Sequence, residues 1–313
     1  MEFLTNWSVE TEITPVFTRD YDLFLFNEQK HLLLQGGTWI TFYLLKKTGH
    51  KIMAQVSFHI EKDKAMSPHR APFGSYLFSK NLSTLNLYYF IQECENRLRE
   101  KKIKLILLKE PPIFYRTSED LLQSILFNLG YTVSNAEIGS GINVGDEKFS
   151  SKIESWEKRK LKQAKAKGMF FKQLPLSEFE NIYQFILKCR IRHGRSLSMT
   201  LDQLKPTVET FERSFFLFGT FLQKELTSAS IAIKVNDKIL YNFYSAHLKK
   251  YDSVSPTVLM IDGLYKFCAS NNITLLDLGT SAIEGQPNFN LLDFKFRLGA
   301  VPSMKLTFEK ELM

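Results

Sequence analysis

Apolar, aromatic and β-branched residues gather in short runs of strand length, separated by longer stretches in which they recur every three or four positions. Strand-length runs suit a sheet, whereas the three-to-four spacing lines one face of a helix. On that basis the chain opens with strands at 39–45, 52–61 and 75–78, then a helix from Leu82 to Arg99. A strand at 103–108, a helix at 119–128 and a strand at 131–136 follow. After a polar, basic stretch come a strand at 169–174 and helices at 178–192 and 201–212. Three strands at 215–222, 227–235 and 239–247 form a meander, with Lys224-Glu225 and Asn236-Asp237 at its tight turns. The end reads as helix 258–269, strand 273–278, helix 289–297 and strand 304–309.

Length and composition narrow the class. At 313 residues the chain exceeds the size at which one core usually stops growing, so two domains of roughly 150 residues each are expected. With 44% hydrophobic and 24% charged residues it is neither collagen-like nor disordered. Its longest apolar run, 214–222, is strand-sized, so no membrane span is expected. The opening Met1-Glu2-Phe3-Leu4 lacks the basic and apolar regions of a signal peptide, which gives a cytoplasmic expectation. Cys94, Cys189 and Cys268 are odd in number and fall in helical stretches, as reduced core residues would. The six histidines, His31, His50, His59, His69, His193 and His247, show no ligand spacing, so no metal site is expected.

The net charge of +8 is unevenly distributed. Between Lys148 and Lys172 there are nine basic residues against Glu154 and Glu157, a surplus of seven. Ser151 and Glu154 have the spacing of a capping box and Gly168 that of a helix stop, which places this charge on one helix. Ile153 and Trp156 give that helix a narrow apolar edge, while Lys158, Lys162 and Lys165 follow one face. Arg159, Lys160 and Lys162 at its centre would gather phosphate, or else form a solvated connecting face.

The two halves repeat one order: antiparallel meander, helix, strand, helix, strand. Phe127-x-Leu129-Gly130 in the first half and Phe296-x-Leu298-Gly299 in the second stand at matching points, about 170 residues apart, as duplication of one unit requires. The first half also carries Ala71-Pro72-Phe73-Gly74-Ser75. The second carries His247-x-x-x-Tyr251-x-x-x-Ser255-Pro256, Leu275-Leu276-Asp277-Leu278-Gly279-Thr280-Ser281 and Phe294-Lys295-Phe296-x-Leu298-Gly299-Ala300. In this order the motifs resemble the tandem-GNAT FemAB family, the peptidoglycan-branching aminoacyltransferases and their relatives. The resemblance implies an α/β fold in the α+β sense: two GNAT-like domains in tandem, each a mixed, mostly antiparallel sheet flanked by helices. It divides the chain into a first domain at 1–146, without catalytic function of its own, a basic connecting helix at 147–168, and a second domain at 169–313.

The resemblance further implies an N-acyltransferase that passes an acyl or aminoacyl group to an amine by direct attack. Acyl-CoA or aminoacyl-tRNA would be the donor, and an amine-bearing cell-wall precursor or amino sugar the acceptor. The rival reading is a catalytically silent scaffold binding a nucleotide-linked precursor or RNA. Where acetyl-CoA users carry a glycine-rich phosphate loop, this chain has Lys249 to Pro256 without glycine, leaving Ser253, Ser255 and the start of the next helix to hold phosphate. Lys295 stands in the family's Phe-Lys motif, associated with stabilising charge on the transferred group; as a bland alternative, its stem packs on the sheet. Asp277, inside an apolar strand, either pairs with Lys295 or Arg297 or positions the acceptor amine. His247 and Tyr244 end the neighbouring strand, as proton-transfer groups or as surface and packing residues. Arg70, before the Pro-Phe-Gly turn, would bind a phosphate or carboxylate of the acceptor, or be an exposed turn residue. No Ser-His-Asp or Cys-His signature points to a covalent intermediate.

Overall fold

Strand-length apolar runs joined by tight turns pair with their sequence neighbours, and the result is two meanders built to one plan. The computed structural model describes residues 6–115, 119–192, 194–283 and 286–312, so His193 lies outside the described residues. Its contacts divide the chain into two compact units, Met1–Glu137 with Met304–Met313, and Ile138–Ser303.

The first unit contains β1 (Trp7–Glu10), β2 (Thr18–Arg19), α1 (Gln29–Leu34), β3 (Thr38–Lys46), β4 (Lys51–Glu61), β5 (Lys64–Ser67), β6 (Leu77–Phe78), α2 (Thr84–Glu100), β7 (Leu105–Lys109) and α3 (Glu119–Asn128). β8 (Thr132–Asn143) begins in this unit. The second contains α4 (Phe149–Lys152), α5 (Ser155–Ala166), β9 (Met169–Leu174), α6 (Phe179–Ile191), α7 (Leu201–Thr210), β10 (Phe215–Leu222), β11 (Glu225–Asn236), β12 (Ile239–His247), α8 (Pro256–Ser270), β13 (Leu275–Thr280), the short β14 (Ala282–Ile283) and β15 (Gln286–Pro287), and α9 (Phe289–Arg297). The last strand, β16 (Val301–Glu311), ends in the first unit.

Strand order is β1-β3-β4-β5-β7-β16 in the first unit and β9-β10-β11-β12-β13-β8 in the second. In both, the fourth and fifth strands are parallel and the other neighbours are antiparallel. The halves therefore repeat one topology, with Gly130 and Gly299 at matching helix ends, both at positive φ. The sixth strand is exchanged: each unit takes it from the end of the other repeat. Each core lies between sheet and crossover helix. In the first unit α2 sets Leu87, Phe90, Ile91 and Leu98 against Phe42, Phe58, Ile106 and Phe308; in the second α8 sets Val258, Ile261, Leu264 and Cys268 against Phe218, Ala232, Leu240 and Leu276. All three cysteines are buried and free. Among the described residues no helix is long and apolar enough to cross a membrane.

Three local expectations are corrected. Residues 64–67 form β5, which the polar Lys62-Asp63-Lys64 sequence hides and a positive φ at Lys62 makes possible. The strand expected from Ser75 starts only at Leu77, because Ser75, at φ 74°, donates its amide to Ser67 Oγ. The single basic helix is two: Ile153 and Glu154 are extended and separate α4 from α5. The Ser151–Glu154 capping box does not form, since Ser151 Oγ donates to Lys148 O and the Glu154 amide donates to Arg297 O on α9. Ile153 is drawn into the core of the second unit, and that burial outweighs helix continuity.

Candidate functional site

Parallel pairing of β12 with β13 lasts three residues, Ile239–Tyr241 against Leu275–Asp277, after which the strands share no ladder. β12 continues alongside β11 and β13 alongside β8. The split is built into β13. Asp277 Oδ1 accepts the Gly279 amide at 2.7 Å, the β13–β8 register shifts between Asp277 and Thr280, and Gly279 has φ 73°. A Cβ at Gly279 would strain that φ and meet the Tyr241 ring at 3.2 Å, so glycine suits the position.

Lys295 reaches this bend from α9, which Asn288 caps by accepting the Leu291 amide. Its ammonium, on a side chain only 6% exposed, donates to Gly279 O at 2.8 Å and Thr280 O at 3.0 Å. Burial pushes its pKa down to about 8, with Asp277 opposing and the charge of Arg190 adding to the shift. It is thus mostly cationic at neutral pH and loses its proton readily above it. Arg297, the other partner expected for Asp277, points elsewhere: its Nε donates to Glu157 on α5 at 3.1 Å.

Arg190, at the end of α6, faces the opposite strand of the split and donates from Nη2 to Ser245 O on β12 at 3.2 Å. Sequence reasoning missed it. It lies in the run Arg190-Ile191-Arg192-His193-Gly194-Arg195, where a basic helix end is the ordinary complement to the helix dipole.

The remaining expected residues are dispersed. Tyr244 is buried, which raises its pKa; its hydroxyl pairs with Ser198 Oγ at 2.5 Å and accepts the Met199 amide at 3.1 Å, joining β12 to the segment before α7. His247 has both ring nitrogens engaged, Nε2 with Asp252 at 2.7 Å and Nδ1 with the Thr257 hydroxyl at 3.1 Å, so it ties the Lys249–Val254 turn to the start of α8. Ser253 is exposed on that turn, and Ser255, at φ 47°, precedes Pro256 at the first helical position. On α5, Lys160 pairs with Glu157, and both Arg159 and Lys160 lie over the ring of Trp156, which is 55% exposed; Lys162 is exposed. α5 is also packed inward, through the buried Glu157, Leu161 and Ala164. Arg70 is exposed in the first unit, its amide on Gln35.

In the first unit the corresponding place between β5 and β7 is occupied by the chain itself. The Gly74 amide donates to Lys109 O at 2.9 Å, Ser75 is bonded to Ser67 and Glu110, and Phe73 is buried. A Cβ on Gly74 would lie 2.7 Å from Pro68 N, so Ala71-Pro72-Phe73-Gly74-Ser75 is fitted closely into the gap. A groove of about 840 Å³ in the second unit, beside α8 and lined by Lys165, Asp262, Tyr265 and Lys266 among others, includes none of the split residues. Among the described residues no group of three or more His, Cys, Asp or Glu could hold a metal ion.

No family model and no curated protein matches this chain by sequence. Solved structures do match its fold. FemX superposes with a TM-score of 0.69 at 12% identity, covering 92% of each chain. The C-terminal domain of a putative lysylphosphatidylglycerol synthetase from Agrobacterium fabrum gives 0.55 at 9% identity, covering 90% of this chain and 87% of that one. L-PGS from Bacillus licheniformis gives 0.53 at 12%, covering 82% and 80%. The paired units of mixed, mostly antiparallel sheet flanked by helices expected from the motifs are the fold of this protein, and that fold is shared with FemX.

Proposed function

We propose that the protein is an N-acyltransferase that works at the split between β12 and β13 of its second unit, moving an acyl or aminoacyl group from acyl-CoA or aminoacyl-tRNA to an amine. One observation carries this reading: two parallel strands part after three residues, and a buried ammonium, Lys295, is fixed at the parting. A carbonyl placed there would meet a cation held in position before reaction, in surroundings drier than water, where such a charge acts most strongly on a developing oxyanion. The acceptor amine attacks the acyl carbon, negative charge gathers on the carbonyl oxygen next to Lys295, and collapse expels the thiolate or the ribose oxygen. The attacking nitrogen gives up a proton as the amide forms, and that proton leaves to solvent or to the leaving group.

The other residues act as supports in this scheme. Asp277 fixes the Gly279 bend whose carbonyl holds Lys295. His247 anchors the turn carrying Ser253 and Ser255, which with the start of α8 faces the donor's phosphates. Arg159 and Lys162 on α5 add phosphate affinity, more useful for a tRNA donor than for a coenzyme. The first unit, its gap filled by 71–75, takes no part in the chemistry. The test is direct. Purified protein is incubated with an acyl-CoA panel and with charged tRNA, each with a mixture of amino sugars and cell-wall peptides, and new amides are sought by mass spectrometry. Donor-dependent amide formation is expected; no amide from any pair would overturn the assignment.

A further inference from the structure

Among the described residues, the split carries more positive charge than is neutralised. Among the described residues Arg190 forms no ion pair with a carboxylate, its buried Nε has no hydrogen-bond partner, and its guanidinium's one protein acceptor is Ser245 O. Across from it, Lys295 directs two of its three N–H groups to neutral carbonyls. Among the described residues Asp277 is the one acid whose charge registers at Lys295, and it accepts the Gly279 amide. Among the described residues two cations thus share one internal counter-charge, where β12 and β13 have stopped pairing.

Half-burying a guanidinium without a counter-ion is unfavourable, and a substrate anion would remove that penalty. A guanidinium also offers several N–H groups in one plane, the geometry that carboxylates match in pairs. A substrate ammonium in the same place would meet two like charges. We infer that Arg190, beside Lys295, forms a carboxylate subsite, so that one of the reacting partners carries a carboxylate close to the bond being made. Arg190 binds that carboxylate and sets specificity, while Lys295 serves the reacting carbonyl beside it. The inference deepens the transferase reading by naming a chemical feature of the substrate, and it rests on that reading for the meaning of the split.

The carboxylate could belong to the amine acceptor or to the acyl group, and two small acids separate these sources. N-acetylglycine places the carboxylate on the amine side of an amide; succinamic acid places it on the acyl side. Their neutral controls are N-acetylglycinamide and succinamide. In the wild-type protein, modification of Arg190 by phenylglyoxal is followed by peptide mass spectrometry with each compound present. One acid is expected to slow modification about tenfold or more, at concentrations where its amide has little effect, as a charge-assisted pair would. Protection by neither acid, protection by the amides equally, or protection by inorganic phosphate alone would overturn the proposal. Titration calorimetry of Arg190→Gln supplies the second arm: affinity for the protecting acid should fall about tenfold while the unfolding temperature stays near wild type, and unchanged affinity would contradict the assignment. If that variant does not fold, the wild-type protection experiment decides alone. Neither arm needs turnover. Protection without amide formation would keep the subsite and sink the transferase, and amide formation without protection would do the reverse.

Discussion

Lys295 is the residue on which charge, burial and backbone geometry converge. Its folded pKa, about 8, lies below its ordinary 10.5, so between these values the unfolded chain holds more protons than the native one. Stability contributed at this site therefore rises with pH through that window, by about 3 kcal/mol, and is flat below it, where the buried charge costs most. Urea unfolding of wild type and Lys295→Met at pH 7, 9 and 10.5 should show the wild type gaining on the variant as pH rises; parallel curves would mean an unshifted lysine. At pH 7 the same variant leaves Asp277 with less compensation, a loss of about 3 kcal/mol that removal of the costly buried ammonium partly offsets. Adding Asp277→Asn should recover most of that loss, since a carboxamide oxygen still accepts the Gly279 amide, whereas additive losses would show the two residues to be independent. Lys295 and Asp277 were legible because an ionisable residue among apolar neighbours stands out in a sequence. Arg190 was not, because its isolation comes from what α6 packs against, and a cation at a helix end is unremarkable in one dimension. The histidine was legible as a residue but not in its surroundings: nothing in the spacing says that Asp252 and Thr257 engage both ring nitrogens.

Among the elements, α5 shows most clearly what pattern misses. Its surplus of lysines reads as a solvated connector, yet Glu157 is fully buried and bound to Arg297, and Leu161 and Ala164 join the core. Lys160 is committed to Glu157 and Lys165 to Asp262, so outward phosphate affinity rests on residues such as Arg159, Lys162 and Lys167. Charge reversal at Arg159 and Lys162 should weaken tRNA binding and reduce the slope of log affinity against log salt by about two, one for each lost phosphate contact, with stability little changed. An unchanged slope would leave α5 a structural tie between elements of its unit. The meander strands were legible because apolar and aromatic runs with tight turns have few alternatives. β5 and the break between α4 and α5 were not, because both depend on partners remote in sequence: β7 for the one, Arg297 on α9 for the other.

At the scale of the whole molecule the duplication could be read from two Phe-x-Leu-Gly endings and a shared order of elements. The exchange of sixth strands could not, since nothing in β16 marks β7 as its neighbour and register is set by long-range pairing. The exchange has a consequence for dissection. Deleting 304–313 removes Leu306, Phe308 and Leu312 from the core of the first unit and strips β7 of a neighbour. Amide exchange in that variant should speed up across β5 and β7 while β11 and β12 keep their protection; loss confined to the second unit would contradict the exchanged topology. The transferase reading itself stands or falls on turnover. For a donor and acceptor pair that yields amide, single-turnover rates of wild type and Lys295→Met give the answer. The account predicts a rate about a hundredfold lower in the variant, with a folded protein and nearly unchanged substrate affinity, the usual scale for one lost oxyanion donor. A folded Lys295→Met protein turning over at the wild-type rate would contradict it.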